Sequence, residues 1–295
     1  MDVIMENSVL FTTDVIAILM ALILVKLLSS ALSGVNFTDE VSVKDNSAYG
    51  IVAAATFLAV GILLSGVQSG DYEHSVMAEL LSMGSYLLTG IVLMTLSRVV
   101  FDRLLLSQVS LKQEVLKGNT AAALTDAANV ICSALIMAGI MHWVDAGSLL
   151  ADLPYMIGAW LLSHIVLSAA IKYRLARSLS KGVNLQDEVA KNNLPVAIRF
   201  AGYRIATAMA ISTTGLLVDF DADYTVYMTI DWVLYSSILA TALYLASQVV
   251  KKVVSPNVDY QHEVEVDKNI GVAFIEAAIF MATAISLTAL ITPIS

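Results

Sequence analysis

The sequence predicts an all-α integral membrane protein of eight transmembrane helices, built as four parallel two-helix repeats with both termini outside. Three observations carry this. Hydrophobic residues make up 58% of the 295 and charged residues 14%, against roughly 45–50% and about 25% in an ordinary soluble domain; mean hydropathy is +0.79. Eight stretches qualify as the largely apolar segments of about 20 residues that cross a bilayer. One short motif recurs four times at spacings of 74, 74 and 75 residues. The composition excludes a disordered chain and a soluble enzyme of normal makeup, and a net charge of −9 with a pI of about 4.8 excludes a nucleic-acid binder.

The elements follow in order. Residues 1–14 carry three acids and no base, which is not the basic n-region of a cleaved signal, so the first span is expected to stay in the mature chain. That span is Val15–Leu32, and Ala48–Val67 returns to close the first unit, residues 1–67. Val76–Leu96 and Thr120–Met141 form the second unit, residues 68–141. Leu153–Ile171 and Leu194–Leu217 form the third, residues 142–217, and Val226–Val250 and Ile270–Ile291 the fourth, residues 218–295. The four units are expected to make one membrane domain. Tyr155, Trp160, Tyr224, Tyr227 and Trp232, near predicted helix ends, read as interfacial anchors.

Orientation follows from the basic residues, which mark cytoplasmic loops. Fourteen of the sixteen Lys and Arg lie in or beside four alternate connections, and the other two, Arg199 and Arg204, lie inside the sixth span. The side that carries the fourteen bases also has eleven acids; the opposite side has twelve acids and no base. The acidic outer side would concentrate cations.

The motif is Val-x-(Phe/Leu/Tyr)-x-x-Glu-Val, starting at Val35, Val109, Val183 and Val258. Its acids are Glu40, Glu114, Glu188 and Glu263, each at the cytoplasmic membrane edge in a short amphipathic segment. Five or six residues on stand Asn46, Asn119, Asn193 and Asn269, just before the returning helices, where an Asn side chain caps a first-turn N–H. Small residues then recur four, eight, nine, thirteen and fifteen residues after each Asn, as in Gly50, Ala54, Ala55, Ala59 and Gly61. Lipid gives apolar helices no drive to associate, so small faces that allow close approach decide packing. The returning helices are therefore expected inside, in a quasi-fourfold or pairwise twofold arrangement, with the first helix of each unit outside. Cys132 falls in one of these small-residue slots; as the single cysteine it excludes an internal disulfide or a Cys-based metal cluster.

The stretch EVLKGNTAAAL from Glu114 resembles the YjfL-like family, known as domain of unknown function 350: small bacterial inner-membrane proteins with Glu, a short spacer, Asn and then an Ala/Gly-rich helix. Shorter members look like two such units, and this chain looks like a doubled version. The third unit departs from the pattern by placing Arg199 and Arg204 in its small-residue helix. The resemblance implies a bacterial inner membrane and, in some genomes, neighbouring envelope-stress and polyamine-related genes. It implies no established activity.

No enzyme motif, cofactor motif or metal-ligand spacing is present, so the chain reads as a non-enzyme without cofactor or metal. The sharp signal is intramembrane charge, which is costly and faces a bundle interior, a cavity or a partner. Asp126 and Glu276 stand seven residues after their Asn, and Arg199 and Arg204 stand six and eleven after theirs. With Asn129 and His164 they form a candidate buried polar network. One function for it is relay of protons or small cations by a channel or transporter. The other is structural, with Arg199 and Arg204 neutralised by Asp126 and Glu276. A ring of the four motif Glu could gather cations; the favoured reading is that each helps cap its returning helix or pairs with a nearby Lys. The leading reading is transport. The alternative is a structural or envelope-stress component that binds a cytoplasmic partner or lipid. The bilayer is the expected partner, nucleic acid is not, and a homo-oligomer is left open.

Overall fold

The computed structural model describes residues 12, 15–26, 34–67, 76–180 and 182–292, and these are all helix, turn or loop with no strand. The elements are α1 (Val15–Lys26), α2 (Ser47–Val67), α3 (Val76–Leu104), α4 (Leu111–Leu116), α5 (Thr120–Trp143), α6 (Leu149–Leu179), α7 (Leu185–Ala190), α8 (Leu194–Ser212), α9 (Thr225–Val254), α10 (Tyr260–Glu265) and α11 (Ile270–Ile291). Seven of the described helices are long and apolar enough to cross a membrane, and α1 is a shorter apolar helix. The rest of the first expected span, residues 27–32, lies outside the described residues.

The helices form two rows. In the first, α2 packs on α5, α5 on α8, and α8 on α11. In the second, α3 lies over the α2–α5 joint, α6 over α5–α8 and α9 over α8–α11. The span windows of α5 and α8 are 72% and 78% buried, but those of α2 and α11 only 39%. The fourfold or twofold expectation is thus corrected. The small-residue helices form an open row, and α2 and α11, at its ends, do not pack on each other. Three covering helices seat on three joints, and only the middle two helices of the row are enclosed.

The joints explain the small residues. A Cβ on Gly66 would lie 2.6 Å from the Ala138 Cα, and one on Gly139 2.6 Å from the Ser212 carbonyl oxygen. Gly66 and Gly139 each stand twenty residues after their Asn; Ala138 and Ser212 stand nineteen after theirs. At the third joint the matching residues are Thr213 and Thr288, whose hydroxyls bond each other at 2.9 Å. Eleven residues, about three turns, nearer the basic side, a Cβ on Gly202 would collide with Ala277. The same two faces recur along the row because the same sequence positions supply them.

The helices α3, α6 and α9 run to 29, 31 and 30 residues, well past the predicted ends on the basic side. At 1.5 Å per residue each spans about 45 Å, against a hydrocarbon layer of about 30 Å. Arg98, Arg174 and Lys251 therefore ride on helix instead of loop. The expected interfacial Trp160 and Trp232 are a further correction. They are 4% and 2% exposed, because their indole N–H groups donate to Ser97 Oγ at 3.0 Å and Ser163 Oγ at 2.9 Å inside the bundle. Tyr224 and Tyr227 are exposed.

Candidate functional site

The basic-side turns repeat one geometry four times. The unspecified second residue of the motif caps the short linking segment. Ser110, Asn184 and Asp259 accept from Gln113, Gln186 and Gln261 N–H, and Asn36 accepts from Thr38 N–H at 2.8 Å. The residue before each motif Asn then takes a positive φ: Asp45 (50°), Gly118 (86°), Asn192 (57°) and Lys268 (55°). That left-handed residue ends the segment and turns the chain into the returning helix.

Each motif Glu is held by its own Asn. Asn46, Asn119, Asn193 and Asn269 donate Nδ2 to Glu40, Glu114, Glu188 and Glu263 at 3.1, 3.1, 2.6 and 2.9 Å. Each Asn backbone N–H also donates to the same Glu's carbonyl at 2.8–3.0 Å. The one-residue difference in spacing is absorbed without breaking the pair. In the first unit Asp39–Val43 widens into a π-turn, and in the fourth the Val266 and Asp267 N–H groups share the His262 carbonyl. Lys44, Lys117 and Lys191 donate to the other oxygen of Glu40, Glu114 and Glu188 at 2.5, 2.7 and 3.0 Å. In the fourth unit the corresponding position is Asp267.

Hydrogen bonding from Lys44 holds the Glu40 carboxyl below its ordinary value, and Lys117 and Asn119 do the same for Glu114. Burial pushes Glu188 up, but bonds from Asn193 and Lys191 outweigh it and the net direction is down. Units are also tied to each other. Asn46 Nδ2 donates to the Val115 carbonyl at 3.1 Å, and Asn119 Nδ2 to the Val189 carbonyl at 2.8 Å. Asn192 Oδ1 accepts from Ala121 N–H at 2.9 Å, across to the start of α5.

The expected caps form at three of the four sites: Asn46, Asn119 and Asn269 accept from Tyr49, Ala122 and Val272 N–H. Asn193 is the exception. It occupies the cap position two residues ahead of Pro195, but its side-chain oxygen accepts no hydrogen bond from the described residues, the Val196 N–H at the equivalent position included.

The intramembrane charges separate into three groups. In the first, Arg98 on α3 donates Nε to Asp126 Oδ1 at 3.0 Å and an Nη to the other oxygen, a two-pronged pair with α5. In the second, Arg204 on α8 is 3% exposed; it donates to Asn129 Oδ1 at 2.5 Å, and its guanidinium lies 3.6 Å from the Phe101 ring centroid. One turn along α5, Ser133 faces His164. His164 Nδ1 is 2.9 Å from the Trp160 carbonyl and its Nε2 is 2.9 Å from Ser97 Oγ, which fits a neutral ring donating from Nδ1.

The third group is centred on Glu276. Its Oε1 accepts from Lys251 at 2.8 Å and Arg174 at 3.3 Å, and Arg199 Nε lies 3.8 Å from Oε2. Arg199 also donates to Glu265. Four helices, α6, α8, α9 and α11, meet on this carboxylate.

Arg199 and Glu276 are thus neighbours, whereas Asp126 and Arg204 turn to other partners. Reading the sequence missed Arg98, Arg174, Lys251 and Glu265 as site residues because they were counted with the connections and their ends, outside the spans. The available signal was the absence of any Gly or Pro between the predicted span ends and these residues.

The family model described as Domain of Unknown Function (DUF350) matches residues 3–141 and 148–291, each segment covering two of the four units. A UPF0719 transmembrane protein of Aquifex aeolicus (strain VF5) is 33% identical over 135 residues, 45% of this chain and 50% of that protein. The chain spans about half the length of this curated relative. No solved structure matches.

Proposed function

The chain belongs to the Domain of Unknown Function 350 family, and from that premise we propose that it is a non-transport structural component of the bacterial inner membrane. In this reading it crosses the bilayer eight times, with α1 as the first span, both termini outside and the Lys/Arg-rich face in the cytoplasm. That face is where a lipid headgroup or protein partner engages it. The envelope-stress context implied by the family resemblance fits such a component.

One observation supports the structural reading above transport. The intramembrane charges are engaged between helices, at Arg98–Asp126, Arg204–Asn129 and the Glu276 group, and the joints around them approach within the reach of a single added carbon. Charges that join different helices fix helix order. A charge swap tests this. Asp126→Arg or Arg98→Asp alone places like charges together and is expected to lower the melting temperature of the purified protein. The two together restore the pair and should recover most of the loss. No recovery in the double variant would count against a pairing role.

Transport keeps one favouring observation: Arg204, Asn129, Ser133 and His164 lie within about two turns across α5, α6 and α8. Flux measurements discriminate the two readings. Orientation is tested separately by thiol labelling in a Cys132→Ser background. Cysteine at Ser148, exposed on the acidic side, should label in intact cells with an impermeant reagent; cysteine at Ser180, exposed on the basic side, only after lysis. The same behaviour at both sites would overturn the orientation.

A further inference from the structure

A cavity of about 270 Å³ opens beside the Glu276 group, where the basic-side ends of α6 and α9 meet α8, α10 and α11. We infer that it is a binding site for a phosphate ester at the Lys/Arg-rich membrane edge. The inference deepens the reading above, in which that face engages lipid or a partner, by naming the place and the chemistry.

Charge sets the sign of the ligand. The lining carries Arg174, Arg177, Arg199, Lys251 and Lys252. Against these five stand three carboxylates, Glu276, Asp259 and the Arg199 partner Glu265. Asp259 is engaged as the cap of α10, accepting from Gln261 and His262 N–H, and Glu276 Oε1 is engaged by Lys251 and Arg174, while Glu276 Oε2 faces Arg199 Nε at 3.8 Å and accepts no hydrogen bond among the described residues. The excess of two positive charges rejects a cation and suits a phosphate, whose several acceptor oxygens match guanidinium forks.

Donor supply points the same way. Tyr260 is 8% exposed and lines the cavity, and among the described residues its hydroxyl has no hydrogen-bond partner. Arg174 also lines the cavity, and its Nη1 is buried without a hydrogen-bond partner among the described residues, the guanidinium lying 4.0 Å from the Tyr203 ring centroid. Two buried donors lacking acceptors are costly in an empty site and are satisfied by an anion with free lone pairs. Arg177 and Lys252 are exposed at the rim, where they draw an anion in. Lipid phosphates lie at the same depth as helix ends of this kind.

The phosphate has two sources, a lipid headgroup or a soluble ester, and two arms separate them. For the soluble source, the full chain in uncharged detergent is titrated calorimetrically with glycerol 3-phosphate and inorganic phosphate. For the lipid source, it is placed in phosphatidylcholine nanodiscs containing phosphatidylglycerol, and retained lipid is read by native mass spectrometry. Binding is expected in at least one arm. It should weaken roughly tenfold in an Arg177→Ala/Lys252→Ala double variant, with ligand-free melting temperature unchanged, and about threefold in Tyr260→Phe, whose ligand-free melting temperature should hold or rise because an unpaired buried hydroxyl is removed. No binding in either arm, or binding that neither variant alters, would overturn the site. Ion flux through the protein would overturn the non-transport reading and leave this site standing; failed phosphate binding would do the reverse.

Discussion

At Asp126 the consequence of removing a charge is calculable. Both carboxylate oxygens bond Arg98, and Asp126 is buried while the Arg98 side chain keeps 29% exposure. Breaking a buried pair costs roughly 3–5 kcal/mol, and partial solvent access lowers that. Asp126→Ala is therefore expected to destabilise by about 2–3 kcal/mol, read from chemical unfolding in detergent. Asp126→Asn, which keeps an acceptor, should cost less.

The motif carboxylates give a pH signature. Glu40, Glu114 and Glu188 have folded-state values below the ordinary 4.5. Such groups contribute stability above their unfolded value, and it is lost as pH falls through the folded value. Melting temperature should hold from pH 7 to about 5 and fall below about pH 4.5, the unfolded-like value. A Glu114→Gln/Glu188→Gln variant should flatten that fall. The four Glu-Asn pairs could be foreseen as a repeat and the Asn as caps, because residue type and position are themselves the signal. That each Asn also holds its Glu was not legible, since it depends on a left-handed residue supplied by Asp, Gly, Asn and Lys in turn. Asp, Gly and Asn favour the left-handed region but are common in any loop, and Lys268 breaks the pattern, so only the backbone angle is shared by all four.

At the scale of elements, the third unit departs from the others in one checkable way. Asn119 caps α5, holds Glu114 and reaches the Val189 carbonyl, whereas Asn193 forms no cap bond ahead of Pro195. Loss of an Asn cap costs about 0.5–2 kcal/mol. Asn119→Ala should exceed Asn193→Ala by about 1 kcal/mol in matched unfolding curves, and equal losses would refute the assignment.

The helix joints give a second contrast. Gly202→Val drives atoms into the Ala277 backbone and is expected to cost about 3 kcal/mol or more, or to prevent folding. Gly50→Ala, with open space at its Cβ position, should be nearly silent. The small-residue pattern announced close helix contact but not the order of helices. Any two small faces fit, and choosing an open row above a ring depends on where α3, α6 and α9 seat. The charge partners were hidden for a related reason: helix ends beyond the apolar run are set by continued hydrogen bonding and not by hydropathy.

For the whole molecule, repetition makes the middle helices differ from the ends. Units one and four supply α2 and α11, each with one neighbour in the row, while α5 and α8 have two and carry the buried Asp126, Asn129 and Arg204. These three buried polar groups lie on the two most enclosed helices, where a conduction path would also have to run, while the buried Glu276 on the end helix α11 is enclosed by Arg174, Arg199 and Lys251. The structural reading says these charges join helices and move nothing. The most direct test is flux of protons, K⁺ and Na⁺ in liposomes holding the purified protein, beside empty liposomes and an Arg204→Ala variant. Flux in the parent equal to that of empty liposomes is the result this account predicts. Flux above empty liposomes that is lost in Arg204→Ala would contradict it and make the Arg204–Asn129 core a path for ions.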